Sequence, residues 1–177
     1  ASSGPTVSHT AYAAAKFAVK GFTEALITDL RLNAPHVHAS VVMPGHIGTS
    51  IALNSGKVLG TGGALEMSAE EVGKIRTRLS EAGLPVDNVP DEHIREMMHQ
   101  RALDFRDKAP TTAAQASAII LDGVREKKWR ILVGEDAKIL DRLVRENPEE
   151  AYEEAFIGKV QAAGGFGGLL PAANDAG

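Results

Sequence analysis

Tyr12-Ala13-Ala14-Ala15-Lys16 sets a phenol and an ammonium four residues apart, a spacing that brings both to one face of a helix. A cation held there favours phenolate over phenol, and such a tyrosine can exchange a proton with an alcohol or a carbonyl near neutral pH. On residue types alone the pair also reads as a helix start followed by one solvated charge. The second element is Pro44-Gly45-His46-Ile47-Gly48-Thr49. Pro fixes a turn, Gly lets backbone approach a ligand closely, and free backbone groups with the Thr49 hydroxyl could hold an amide or a phosphate. Its plainer reading is an ordinary strand-ending turn.

Other candidates carry less. His36 and His38 would share one face of a strand, as a metal pair does, but no third ligand is evident in the sequence and no metal is expected. His9 and His46 flank the two elements above and are candidates for a substrate contact. Met67, Met97 and Met98 suit either an adaptable pocket or plain core packing. The acidic run from Glu146 to Glu154 reads as a solvated helix face. The Gly-rich run at 164–168 is no phosphate loop, because no strand precedes it and no Lys follows.

The elements that must position these residues follow from periodicity. Gly4 to His9 is a loop, and from about Ala11 to Leu32 a long helix is predicted. Alanines favour it intrinsically, and Ala15, Ala18, Val19, Phe22, Leu26 and Leu30 recur at helical spacing. Asn33-Ala34-Pro35 stops it, and residues 36–43 read as a short strand closed by Pro44-Gly45. The pair of elements is the αβ half of a βαβ unit. Residues 50–110 are too long for a simple connection and carry helical patterns of their own. One helix is capped by Ser68 with Glu71 and ends at Gly83; another opens at Pro90-Asp91 with Ile94, Met97, Met98 and Ala102 on one face. Connections of this length are more often lids or binding segments than idle loops. A helix from Thr111 to Lys128, carrying Ala114, Ala118, Ile119, Leu121 and Val124, leads to a strand at 130–133. Helices at 136–145 and 148–157 and a flexible Gly-rich tail, 164–177, complete the reading. Two strands are too few for the sheet that so many amphipathic helices need to cover.

Composition sets the class. The 177 residues suit one domain or two small ones, and 44% apolar with 24% charged residues is ordinary for a globular chain. Nineteen Lys and Arg against 23 Asp and Glu give a net charge of -4, which argues against a nucleic-acid partner. With no cysteine there is no disulfide framework and no thiolate metal site, and the chain fits a reducing compartment such as the cytoplasm. No apolar run approaches a membrane span, and residues 1–5 lack the features of a signal peptide, so no membrane partner is expected.

Taken together, Tyr12-x-x-x-Lys16, the following Phe17-Ala18-Val19-Lys20-Gly21-Phe22-Thr23-Glu24-Ala25-Leu26, and Pro44-Gly45-x-Ile47-x-Thr49 resemble the C-terminal half of a short-chain dehydrogenase/reductase. The 32 residues from Tyr12 to Pro44 are typical of that family. The resemblance covers roughly residues 1–145, most loosely over 50–110. It implies an α/β fold, the C-terminal part of a doubly wound, Rossmann-type parallel sheet. Residues 1–163 would form half of one nucleotide-binding domain, with a helical substrate lid at about 50–110 between the last two strands. It implies hydride transfer between NAD or NADP and a small-molecule alcohol or ketone. Tyr12 would be the catalytic acid/base, and Lys16 would bind the nicotinamide ribose and ease proton release from Tyr12. Pro44, Gly45 and Ile47 would line the nicotinamide, with the Ile47 backbone facing its carboxamide, and Thr49 would bond the carboxamide or pyrophosphate. A homodimer or homotetramer is implied, packed through the Tyr12 helix at Ala14, Ala18, Phe22 and Ala25. The family's glycine-rich phosphate loop and its NAD/NADP selector have no counterpart in the chain. Its catalytic serine would fall before residue 1, with Ser2 or Ser3 in a shortened loop as the alternative. The same fold also serves non-catalytic dinucleotide-binding or interaction proteins, and related epimerases and dehydratases use Tyr-x-x-x-Lys.

Overall fold

Alanine-rich sequence with no proline, which carries Gly21 in its interior, gives the longest element among the described residues. In the computed structural model, which describes residues 10–58, 60, 62–153 and 155–165, it is helix α1 (Thr10–Asn33), close to the predicted span. A turn at Pro35-His36, held by the Val37 N–H donating to the Ala34 carbonyl at 2.9 Å, reverses the chain into strand β1 (Val41–Pro44). The strand is shorter than the expected 36–43. His36 and His38 precede it and share no strand face, because Pro35 and the turn keep this part of the chain out of the ladder. Among the described residues no three His, Asp or Glu side chains converge as a metal ion requires.

The chain divides into two compact units, residues 1–47 with 110–177, and residues 48–109. In the first, β1 pairs in parallel with β4 (Arg130–Val133), Val41 opposite Arg130 and Pro44 opposite Val133. The ladder extends beyond both strands, through the Val41 N–H to the Trp129 carbonyl at 2.7 Å and the Gly45 N–H to the Val133 carbonyl at 2.9 Å. Parallel neighbours require a crossover, and its last helix, α5 (Ala113–Arg125), packs on β4. Two very short strands, β2 (Ile47–Gly48) and β3 (Thr111–Thr112), pair with each other. The fold is therefore α/β, mostly helical, with a small parallel sheet.

Alternation along β4 assigns its faces. Ile131 and Val133 are buried with Ala116, against Ile47 and Ile120, on the α5 side. Arg130, pointing to the opposite face, makes a two-pronged ion pair with Asp141 of α6 (Glu135–Glu146), which Arg145 joins at 3.2 Å. Burial pushes the Arg130 guanidinium below its usual range. A second cluster, Ala151, Phe156 and Val160, packs on Leu140, Leu143 and Val144 of α6. The helix expected over 148–157 is instead a 3-10 turn (Glu150–Tyr152) and α7 (Ala155–Ala162), separated where Glu153 is extended. Gly164 and Gly165 close α7, with the Gly165 N–H on the Val160 carbonyl at 2.8 Å, so these two glycines are not tail. Residues 166–177 lie outside the described part.

Two helices bury a different stripe from the one their apolar pattern suggests. On α5 the buried positions are Ala116 and Gly123, with Ile120 half-buried, while Ala114, Ala118, Ile119, Leu121 and Val124 are exposed. The reason is close approach. A Cβ on Gly123 would stand 2.7 Å from the Ile131 Cδ1, so only glycine lets helix and strand meet there. Gly123→Val is expected to cost the packing of α5 on β4 about 1–3 kcal/mol, the usual cost of overpacking, read as faster amide exchange at Ile131 and Val133 than in the unsubstituted protein. On α1 only Ile27 is buried, flanked by half-buried Lys20, Thr23, Glu24 and Leu30; Ala15, Ala18, Val19 and Phe22 face outward.

The second unit is helical: α2 (Ile51–Val58) and a 3-10 turn (Ala64–Glu66), neither expected from a capping signal in the sequence, then α3 (Ala69–Glu81) at the expected Ser68 cap and α4 (Asp91–Asp107) opening at Pro90-Asp91. Ser68 and Glu71 form the expected capping box, and bonds from Ser68 hold the Glu71 carboxyl below its ordinary range. Val72 and Ile94 are fully buried, and Met97, Met98 and Ala102 are half-buried with Ile94 on α4. Arg76 ties the α3–α4 connection together. Its guanidinium donates to the Val86 carbonyl at 2.7 Å and the Val89 carbonyl at 2.5 Å, and pairs with Asp91.

Candidate active site

α1 presents Tyr12 and Lys16 within its first two turns, and both side chains are exposed. The Lys16 ammonium lies 5.4 Å from the centroid of the Tyr12 ring, inside the range in which a cation is attracted to an aromatic face. The i, i+4 spacing therefore does bring phenol and cation together. α1 packs on β1 and is joined to it by the reversal at Pro35-His36, and β1 finishes at its Pro44 end. That end carries the turn Pro44-Gly45-His46-Ile47, where open α/β sheets bind their ligands.

The turn is fastened at three points. The Gly45 N–H donates to the Val133 carbonyl, the His46 N–H to the Asp136 carboxylate at 2.5 Å, and the Ile47 side chain enters the cluster of Ala116, Ile131 and Val133. His46 is buried, and so is not offered at the surface as a substrate contact would be. Pro44 is exposed at the end of β1. Of the six residues assigned to the cofactor, Tyr12, Lys16, Pro44, Gly45 and Ile47 belong to the first unit. Thr49 belongs to the second, whose first residue is Gly48. Ser2, Ser3 and His9 lie outside the described residues.

The pattern of residue types gave no reason to single out Asp136. It reads there as the start of a helix, and only the fold shows that its carboxylate reaches back 90 positions to the turn. An acidic residue in the first turn of a helix after a Gly-ended strand was the available signal. The donor set of Tyr12 and Lys16, a hydroxyl and an ammonium on one exposed face, fits the ribose and reacting end of a nicotinamide nucleotide. Among the described residues no glycine-rich strand-to-helix loop stands ready for its diphosphate. Comparison of the chain with protein-family models, with curated proteins and with solved structures returned no match.

Proposed function

We propose that this chain is the C-terminal half of a nicotinamide-dependent oxidoreductase of the short-chain dehydrogenase/reductase type, acting on an alcohol or ketone. The observation that carries the reading is the Tyr12–Lys16 pair at 5.4 Å, on a helix that leads to the Pro44–Ile47 turn at the end of a parallel strand. Tyr12 gives its hydroxyl proton to the substrate oxygen in reduction and takes it back in oxidation. The Lys16 charge stabilises the phenolate left behind, and its three N–H donors hold ribose hydroxyls. Backbone of the turn at Pro44, Gly45 and Ile47 orients the nicotinamide carboxamide. When bound, NAD or NADP supplies the hydride. In the same reading the outward face of α1, with Ala14, Ala18, Phe22 and Ala25 all exposed, is the surface on which two copies pack.

The test is direct. Protein carrying this chain is offered NADH and NADPH with a panel of ketones and aldehydes, and NAD and NADP with the matching alcohols, while absorbance of the reduced nicotinamide is followed. Substrate-dependent consumption or formation of reduced cofactor is expected. A full-length protein that contains this chain and binds neither reduced dinucleotide overturns the reading.

A further inference from the structure

Asp136 is only 9% exposed, yet it bears a carboxylate, the costliest kind of group to bury without partners. Its two oxygens are divided between two jobs. Oδ1 accepts the Ala137 N–H at 2.9 Å, within the first turn of α6, where the helix dipole also favours a negative charge. Oδ2 accepts the His46 N–H at 2.5 Å, in the turn that follows β1. Two glycines make room for it. A Cβ on Gly45 would overlap the Asp136 carboxyl group. A Cβ on Gly134, which has φ +98°, would collide with Oδ1 and stand 3.0 Å from the Thr111 hydroxyl. The turn after β1 and the turn after β4 thus close on one carboxylate.

A turn that had only to reverse the chain would be held by backbone bonds, as Gly45 already is through Val133. The added charged strap acts on the next residue. With the His46 N–H bound to Asp136 the Gly45–His46 peptide group is held, and with the Ile47 side chain seated against Ala116, Ile131 and Val133 the turn is anchored on both sides of His46. That peptide group belongs to the segment assigned above to the nicotinamide.

We infer that Asp136 is a positioning residue for the nicotinamide ring, acting through the Gly45–His46 peptide of the turn and touching neither cofactor nor substrate. The inference rests on the function proposed above, and its test keeps the two apart. Binding of NADH, NADPH and the ring-less analogues ADP-ribose and 2′-phospho-ADP-ribose is titrated in the wild-type protein and in Asp136→Ser. Serine can still accept a bond at the start of α6 but is too short to reach His46. A hydrogen bond to a charged group is worth enough that Asp136→Ser should bind the preferred reduced dinucleotide about tenfold or more weaker. Affinity for the ring-less analogue should stay within about twofold, because the turn does not touch that part. If Asp136→Ser does not fold, as its melt would show, Asp136→Asn keeps the volume, removes one of the two acceptor oxygens and carries the same comparison. Equal weakening of both ligands, or no weakening of either, overturns the positioning role. These titrations use the full-length protein that contains this chain, and its failure, as wild type, to bind either reduced dinucleotide overturns the function instead.

Discussion

Tyr12→Phe is expected to reduce turnover by about 10²–10⁴-fold, the usual contribution of a positioned general acid or base, while cofactor affinity changes little. The substitution removes one oxygen and leaves the ring over which the Lys16 ammonium lies, so the local packing of α1 is kept. Lys16 and the Pro44–Ile47 turn, which hold the dinucleotide in this mechanism, are untouched. Lys16→Ala should behave differently, lowering both turnover and cofactor affinity, since the ammonium serves the phenolate and the ribose at once. Steady-state kinetics with both substrates, alongside a cofactor titration, separates the two patterns. A Tyr12→Phe protein with wild-type turnover removes Tyr12 from the chemistry. A loss of cofactor binding equal to the loss of turnover would make it a binding residue only.

What could be read from the sequence depended on whether the signal was local. Helix α1 has its alanines and its Pro35 stop, α3 has Ser68 and Glu71, and β4 has a run of apolar residues between a turn and a glycine. Each of these is decided within a few residues, and each stands where periodicity puts it. The strap from Asp136 to His46 is decided by residues 90 positions apart and leaves no periodic trace. The face that each helix buries was also illegible. On α5 the larger apolar side chains mark a stripe through Leu121 and Val124, but burial goes to Ala116 and Gly123, because close approach to Ile131 rewards small groups over large ones. On α1 the apolar stripe through Val19 and Phe22 is outward for a related reason. The helix buries only Ile27 fully and half-buries Leu26 and Leu30, which uses little of the apolar surface of a helix of 24 residues.

That unused apolar surface sets the second large effect: residues 1–177 expressed alone are expected to show no cooperative thermal transition and no binding of NADH or NADPH. Phe17, Val19 and Phe22, at 48%, 63% and 70% exposure, lie on α1, and Ile119, Leu121 and Val124 are exposed on α5. Burying a side chain of this size completely is worth about 1.5–3 kcal/mol. Six of them left open therefore forgo a sum comparable to the about 5–15 kcal/mol by which a whole domain is stable. A two-stranded sheet adds little support of its own, since such ladders are marginal in water until further strands or helices cover them. Binding should fail for a separate reason, because Tyr12, Lys16 and the Pro44–Ile47 turn address one end of a dinucleotide. The other end calls for a phosphate turn at the start of a doubly wound sheet. A calorimetric scan of the purified chain, followed by fluorescence titration with both reduced cofactors, checks the two halves independently. A cooperative melt with micromolar binding would show that the described fold is sufficient by itself and that the open faces of α1 and α5 need no cover. A cooperative melt without binding would keep the one-ended cofactor site but place the stability in contacts between copies, which light scattering at the same concentration would reveal as a dimer. A chain that melts cooperatively as a monomer would overturn the energetic argument from those six exposed side chains.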